Sequence, residues 1–150
     1  MTDSRPTQLT PRVDDLGLRP VVTVPREASL AQAARVMRAH DISSLVVGRP
    51  GDLISIVTER DLTQGLADGR DCNATVEAVA SPQPVTVSPD ASAVDAAAQM
   101  LRHGVRHLVV VRGRHAVGVI SMRDVLAALV AASATETMVL MFEQLRFDPS

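Results

Sequence analysis

The sequence predicts a mixed α/β (α+β) fold: two β-α-β-β-α repeats packed about a pseudo-two-fold axis, plus a C-terminal helix. Three observations carry this. Shifting the chain by 63 residues aligns 13–62 with 76–125 without a gap, and sixteen of these fifty positions are identical. Each copy alternates short β-branched runs with segments of helical period. Each copy also closes on one spacing of a hydroxyl and a carboxylate, Thr58 to Asp61 in "VTERDL" and Ser121 to Asp124 in "ISMRDV".

The elements follow in the same order in both copies. "VVTV" (21–24), preceded by Pro20, and "PVTV" (84–87), which opens on Pro84, are the first strands. Ser29 and Ser92 stand as N-caps before "LAQAARVMRAH" and "AVDAAAQMLRH". Leu30, Ala33, Ala34, Met37 and His40 recur at helical spacing and define the expected buried face. "SLVVG" and "HLVVV" are the second strands, "LISIV" and "AVGVI" the third. The turns between them, "RPGD" (49–52) and "RGRH" (112–115), carry the glycine a hairpin favours. Further helices begin near Glu59 and Met122. In the tail, a helix is expected over 134–146, with Met138, Met141, Phe142 and Leu145 on one stripe. Phe142 and Phe147 are the only aromatic residues. That stripe either packs on its own domain or forms a dimer contact.

The expected organisation is a flexible N-terminal tail (1–12), repeat 1 (13–70), repeat 2 (75–132) and a C-terminal helical tail (133–150). A half of this size buries too little surface to be comfortable alone, so the two repeats should share one domain, with two related clefts between their sheets.

Composition narrows the function. A net charge of −2 and an aromatic share of 1% argue against nucleic acid or an anionic membrane as partner. Cys72 is the single cysteine, so no internal disulfide forms, and no second thiol or nearby His makes it a metal ligand. The N-terminus lacks the apolar core of a secretory signal, and "VLAALVAA" is too short to span a bilayer, so a cytoplasmic location is expected. All fifteen basic residues are Arg, which suggests a GC-rich coding genome of the actinobacterial kind.

The repeated Thr/Ser-x-x-Asp has two readings. It is the capping-box pattern of a helix start, with the acid placed favourably against the helix dipole. At a strand-to-helix junction beside a cleft, the same carboxylate is also an acceptor for paired hydroxyls such as a ribose diol. Val22, Val24, Ile56, Val85, Val87 and Val119 are candidates to sandwich a flat purine there.

The ordered duplicate "VTVPREASLAQAARVMRAHDISSLVV…ISIVTERDL" resembles a tandem pair of CBS domains, the Bateman module, over residues 13 to 130. The resemblance implies binding of AMP, ADP, ATP or S-adenosylmethionine. It implies one site built from Thr23, Ser43 and Ser44 with Ser121 and Asp124. Its partner would use Thr86, Arg106 and His107 with Thr58 and Asp61. The two Asp residues would hold ribose hydroxyls, with Thr58 and Ser121 supporting ribose or phosphate. Arg106 and His107 replace Ser43 and Ser44 in repeat 2, so that cleft is expected to prefer phosphorylated adenosine, with His107 adding charge near neutral pH. Ser55 departs from the pattern's glycine, kept as Gly118, and is expected to crowd a ligand edge near Thr58 and Asp61.

The expected function is therefore a regulatory sensor that signals through a homodimer or an effector protein. The alternative is a ligand-free dimerisation scaffold. No nucleophile is placed beside a base by a recognisable motif, so no catalytic residue, required cofactor or metal is expected. His40 and His103 end equivalent helices, where a terminal cation or a packing role is the usual explanation.

Overall fold

The computed structural model of the protein describes residues 10–49 and 55–146, with side chains as far as residue 136. Repeat 1 runs β1 (Thr23–Val24), α1 (Leu30–His40), β2 (Ser44–Val47), β3 (Ser55–Thr58) and α2 (Glu59–Ala67). Repeat 2 runs β4 (Thr86–Val87), α3 (Ala93–His103), β5 (His107–Arg112), β6 (His115–Ser121) and α4 (Met122–Arg146). Each repeat forms its own three-stranded sheet, with the first strand parallel to the second and the second antiparallel to the third.

Local chemistry sets the helix bounds. Ser29 Oγ accepts from the Gln32 backbone N–H at 3.1 Å, and Gln32 Oε1 accepts from the Ser29 N–H at 2.8 Å, a full capping box. Ser92 Oγ accepts from the Asp95 N–H at 3.0 Å. Helices α1 and α3 end at Asp41 (φ 51°) and Gly104 (φ 63°), both left-handed. The buried face of α1 is narrower than its spacing predicts. Leu30, Ala33 and Met37 are buried, whereas Ala34 and His40 are exposed, because the sheet covers a single stripe of the helix. The first strands are shorter than their β-branched runs. Pro20 and Pro84 near their starts offer no N–H to extend a ladder. The β5–β6 turn places Gly113 at φ 63°, as a hairpin glycine should be. Residues 50–52 of the other turn, and 53–54 of the expected third strand, lie outside the described residues.

Alternation along the strands divides the burial between two faces. Leu45, Val47 and Val57 join Leu30, Ala33 and Met37 in the core of repeat 1. Leu108, Val110 and Ile120 do the same with Ala93, Ala96 and Met100 in repeat 2. Val46, Ile56, Val109 and Val119 belong to neither cluster, yet each is buried. They occupy the opposite sheet faces, where the two repeats meet.

The repeats also exchange their opening turns. Val13, on a 3-10 turn (Val13–Leu16), is fully buried in the core of repeat 2, held by its N–H to Ala91 O at 2.8 Å. Val76, on the equivalent turn (Val76–Ala78), is fully buried in the core of repeat 1, its N–H donating to Ala28 O at 2.8 Å. The end of the expected flexible tail is part of this exchange: Pro11 O accepts from the Ala93 N–H at 2.8 Å. At the other end, α4 runs unbroken from Met122 to Arg146, so the tail helix is a continuation of the last helix of repeat 2. The side chains of Met138, Met141, Phe142 and Leu145, and all of Phe147, lie outside the described residues.

Truncating either exchanged valine should cost roughly 2 kcal/mol. The crossed placement gives a sharper readout. Val13→Ala should speed amide hydrogen exchange in β4–β6, although residue 13 precedes β1, and Val76→Ala should speed it in β1–β3. Exchange rising in the sequence-adjacent sheet instead would contradict the exchange of turns.

Candidate functional site

Strand register brings the chemistry to one end of each sheet. Ser44 pairs with Thr58 across β2 and β3, and His107 pairs with Ser121 across β5 and β6. Helices α2 and α4 leave from these points, Glu59 N–H bonding Ser43 O at 3.0 Å and Met122 N–H bonding Arg106 O at 2.8 Å. Both hydroxyl–carboxylate motifs form the same box. Asp61 Oδ2 accepts from the Thr58 N–H (2.8 Å) and Thr58 Oγ1 (2.9 Å), while Thr58 Oγ1 accepts from the Asp61 N–H (3.2 Å). Asp124 Oδ2 accepts from the Ser121 N–H and Ser121 Oγ, both at 2.9 Å, and Ser121 Oγ accepts from the Asp124 N–H at 3.2 Å. In each box one carboxylate oxygen, Oδ2, takes both bonds, and Oδ1 is left over.

Between the repeats lies a cleft of about 1320 Å³ that contains both box hydroxyls, Thr58 and Ser121. A single small-molecule site usually occupies roughly 300–1,000 Å³, so two related pockets opening into one another suit this volume. Ser43, Ser44, Arg106, His107 and Asp61 also line it. In its wall the repeats touch, Ser43 Oγ lying 2.7 Å from His107 Nε2.

Burial revises the expectation for His107. Burial pushes its imidazole below the ordinary 6.5; Asp124, Glu59 and Asp61 oppose this and Arg106 reinforces it. The ring is therefore neutral near neutral pH, with Nε2 already engaged by Ser43. Arg106 is exposed at the cleft wall and remains the cation of this pair.

Thr23 and Thr86 are not brought into the cleft. They pair with Val46 and Val109, two residues in from the strand ends where the cleft lies. Parallel strands start at the same end, so the residues before each threonine reach the cleft instead: Pro20 in repeat 1, and Pro84 and Val85 in repeat 2. Of the apolar candidates, Ile56, Val85 and Val119 line the cleft, while Val24 and Val87 face the helix-side cores and Val22 packs against the first of them. Ser55 is buried on β3 and is not a lining residue. Gly118 is small for another reason: a Cβ there would stand 2.8 Å from Leu18 Cβ, in the segment that crosses over β6.

Sequence reasoning missed Arg19, which lines the cleft and pairs with Asp124. Its equivalent after the 63-residue shift is Pro82, so the repeat held no signal for it.

The sequence pattern of the CBS domain matches residues 13–68 and 76–131. The chain belongs to the CBS domain family. Its two CBS domains form a tandem pair, a Bateman module. The CBS domain-containing protein YhcV of Bacillus subtilis is 31% identical over 113 residues, spanning 75% of this chain and 81% of the relative. A 17.7 kDa protein of Acidianus ambivalens is 32% identical over 120 residues, spanning 79% and 73%. Among solved structures, the CBS domain protein PAE2072 from Pyrobaculum aerophilum, complexed with AMP, superposes with a TM-score of 0.73 at 28% identity. That match covers 83% of this chain and 99% of the other. No helix among the described residues of this CBS pair is long and apolar enough to cross a membrane. Those residues also hold no cluster of three or more His, Cys, Asp or Glu side chains suited to a metal ion.

The depressed His107 pKa makes a pH prediction. Between the folded value and 6.5 the unfolded chain binds the extra proton, so stability rises with pH through that window and levels above it. Denaturant titrations between about pH 5 and 8 should show this increment in the wild type. His107→Gln, which can still bond Ser43, should lack it; an identical pH profile would place the effect elsewhere.

Proposed function

We propose that this CBS pair is a regulatory sensor, not a catalyst, that takes an adenine nucleotide into the cleft between its repeats. The observation that carries this reading is Asp61. Its Oδ2 is spent on the helix cap, while Oδ1 has no partner among the described residues, and the side chain lines the cleft. An acceptor-only oxygen beside a hydroxyl is suited to the vicinal diol of a ribose. Ile56, Val85 and Val119 offer branched apolar surface for a purine, with Pro20 and Pro84 beside them. Arg106 supplies a guanidinium for phosphate, which favours AMP, ADP or ATP over S-adenosylmethionine in the Asp61 pocket. The AMP complex of the Pyrobaculum relative supports the ligand class.

The output is read through α4. This helix starts at the Ser121–Asp124 box, whose Ser121 lines the cleft, and carries Leu126 (53% exposed) and Val130 (67% exposed) one turn apart on its outer surface. Small residues, Ala127, Ala131 and Ala134, surround them and permit close approach of another helix. A ligand that shifts the start of α4 moves this face with it, so a second copy docked there, or an effector protein in its place, registers occupancy.

Two measurements test the proposal. AMP at about 100 times its dissociation constant should stabilise the protein by about 2.7 kcal/mol, read as a thermal shift of several degrees. Asp61→Asn, which keeps an acceptor for the cap, should remove most of that shift. Arg106→Ala should weaken AMP roughly tenfold while leaving uncharged adenosine nearly unchanged, and Ser43→Ala should do neither. Equal effects of Arg106→Ala and Ser43→Ala would sink the phosphate assignment. For the output, Leu126→Asp with Val130→Asp should convert a dimer to a monomer in light scattering; an unchanged mass would remove α4 as the contact.

A further inference from the structure

Arg19 stands outside both boxes, yet its position is tightly determined. Its backbone bridges to β6, Arg19 N–H donating to Val119 O at 3.3 Å and Val119 N–H donating to Arg19 O at 3.2 Å. Gly118 lets this segment pass so close. From there the guanidinium reaches across the repeats. Nη2 lies 3.6 Å from Asp124 Oδ1, and Nη1 donates to the backbone carbonyl of Asp41 at 3.4 Å. Asp41 is the left-handed cap of α1, where helix carbonyls carry partial negative charge. Arg19 thus spans from the end of α1 in repeat 1 to the start of α4 in repeat 2.

Among the described residues, nothing equivalent exists at the related pocket. Pro82 stands where Arg19 would, and Gly104 where Asp41 would. Among the described residues, Asp61 has no ion-pair partner. The lining of the cleft reflects the difference: Asp61 is part of it, Asp124 is not, and Arg19 is.

We infer that Arg19 is an internal latch on Asp124, which makes the two repeat-related pockets unequal and restricts the Asp124 pocket to nucleoside phosphates. This rests on the adenine-nucleotide reading above. A ribose diol entering the Asp124 pocket needs Oδ1, the oxygen Arg19 holds. Displacing Arg19 strands a cation unless the ligand brings an anion to it. A phosphate does so; neutral adenosine does not. The Asp61 pocket carries no such condition, so it fills first.

The test is calorimetric titration of AMP and of adenosine into four proteins: wild type, Arg19→Ala, Asp61→Asn and the double variant. In the Asp61→Asn background only the Asp124 pocket is read. There, Arg19→Ala should raise adenosine affinity roughly fivefold at low salt, the scale of a part-exposed ion pair. The same change should leave AMP affinity unchanged or lower it, so the preference for AMP over adenosine falls. Added NaCl should shrink the adenosine difference. Equal effects on the two ligands, or no binding in the double variant while the wild type binds AMP at Asp61, overturn the latch alone. Absence of binding by either ligand to all four proteins overturns the nucleotide reading and the latch together.

Discussion

Each half of this molecule completes its core with a residue from the other: Val13 buries in repeat 2 and Val76 in repeat 1. Everything else is arranged around that exchange. Separating the repeats would return both valines to water at a cost of roughly 1.5–3 kcal/mol each, besides uncovering Val46, Ile56, Val109 and Val119 between the sheets. The cleft is therefore framed by halves that are stapled together. A ligand entering it has little freedom to pry the sheets apart. Its leverage falls on what is held less firmly at the cleft wall, the starts of α2 and α4 and the side chains beside them.

The hydroxyl–carboxylate boxes sit at those starts, and their geometry resolves an apparent conflict. A capping box and the proposed ribose contact call on the same aspartate. A carboxylate has two oxygens, however, and the box uses only Oδ2. The cap fixes the rotamer, so Oδ1 is aimed before any ligand arrives. Pre-orientation of this kind lowers the ordering cost of binding. Losing the cap would therefore weaken both the helix start and the acceptor. On the proposed reading, stability and recognition would be coupled through one side chain.

Sequence patterns revealed what local chemistry decides. The bounds of α1 and α3, the Ser29 and Ser92 caps and the starts of α2 and α4 follow from hydroxyls, periodicity and left-handed ends within a few residues. The contacts that differentiate the cleft are non-local. Ser43 meets His107 across 64 positions, and Arg19 meets Asp124 across 105, so no window along the chain contains either pair. Thr23 and Thr86 enter the expected site only through the family resemblance, and a β-branched run does not itself reveal which strand end faces a cleft. His107 was expected to carry charge because burial is a property of the fold and not of the residue. The exchange of Val13 and Val76 was equally invisible, since a repeat boundary in sequence need not be a boundary in space.

Internal comparison of the two repeats separates scaffold from specificity. The identical pairs include Ala33 and Ala96, Met37 and Met100, the two "LVV" strands and both aspartates. Apart from the aspartates, those pairs are largely core. Among the pairs that differ in charge or size are Arg19 and Pro82, Asp41 and Gly104, Ser43 and Arg106, and Ser44 and His107. Of these eight residues, seven line the cleft. Packing penalises change in the shared core, where a lost methylene is felt directly. The cleft wall is partly solvated, so replacing serine by arginine or proline by arginine there costs little stability and changes the local charge greatly. Duplication by itself would yield two equal pockets. Divergence at the wall leaves the fold intact and makes its two halves unequal: Arg106 and His107 stand on one side where Ser43 and Ser44 stand on the other, and Asp124 is paired with Arg19 while Pro82 stands at the position equivalent to Arg19.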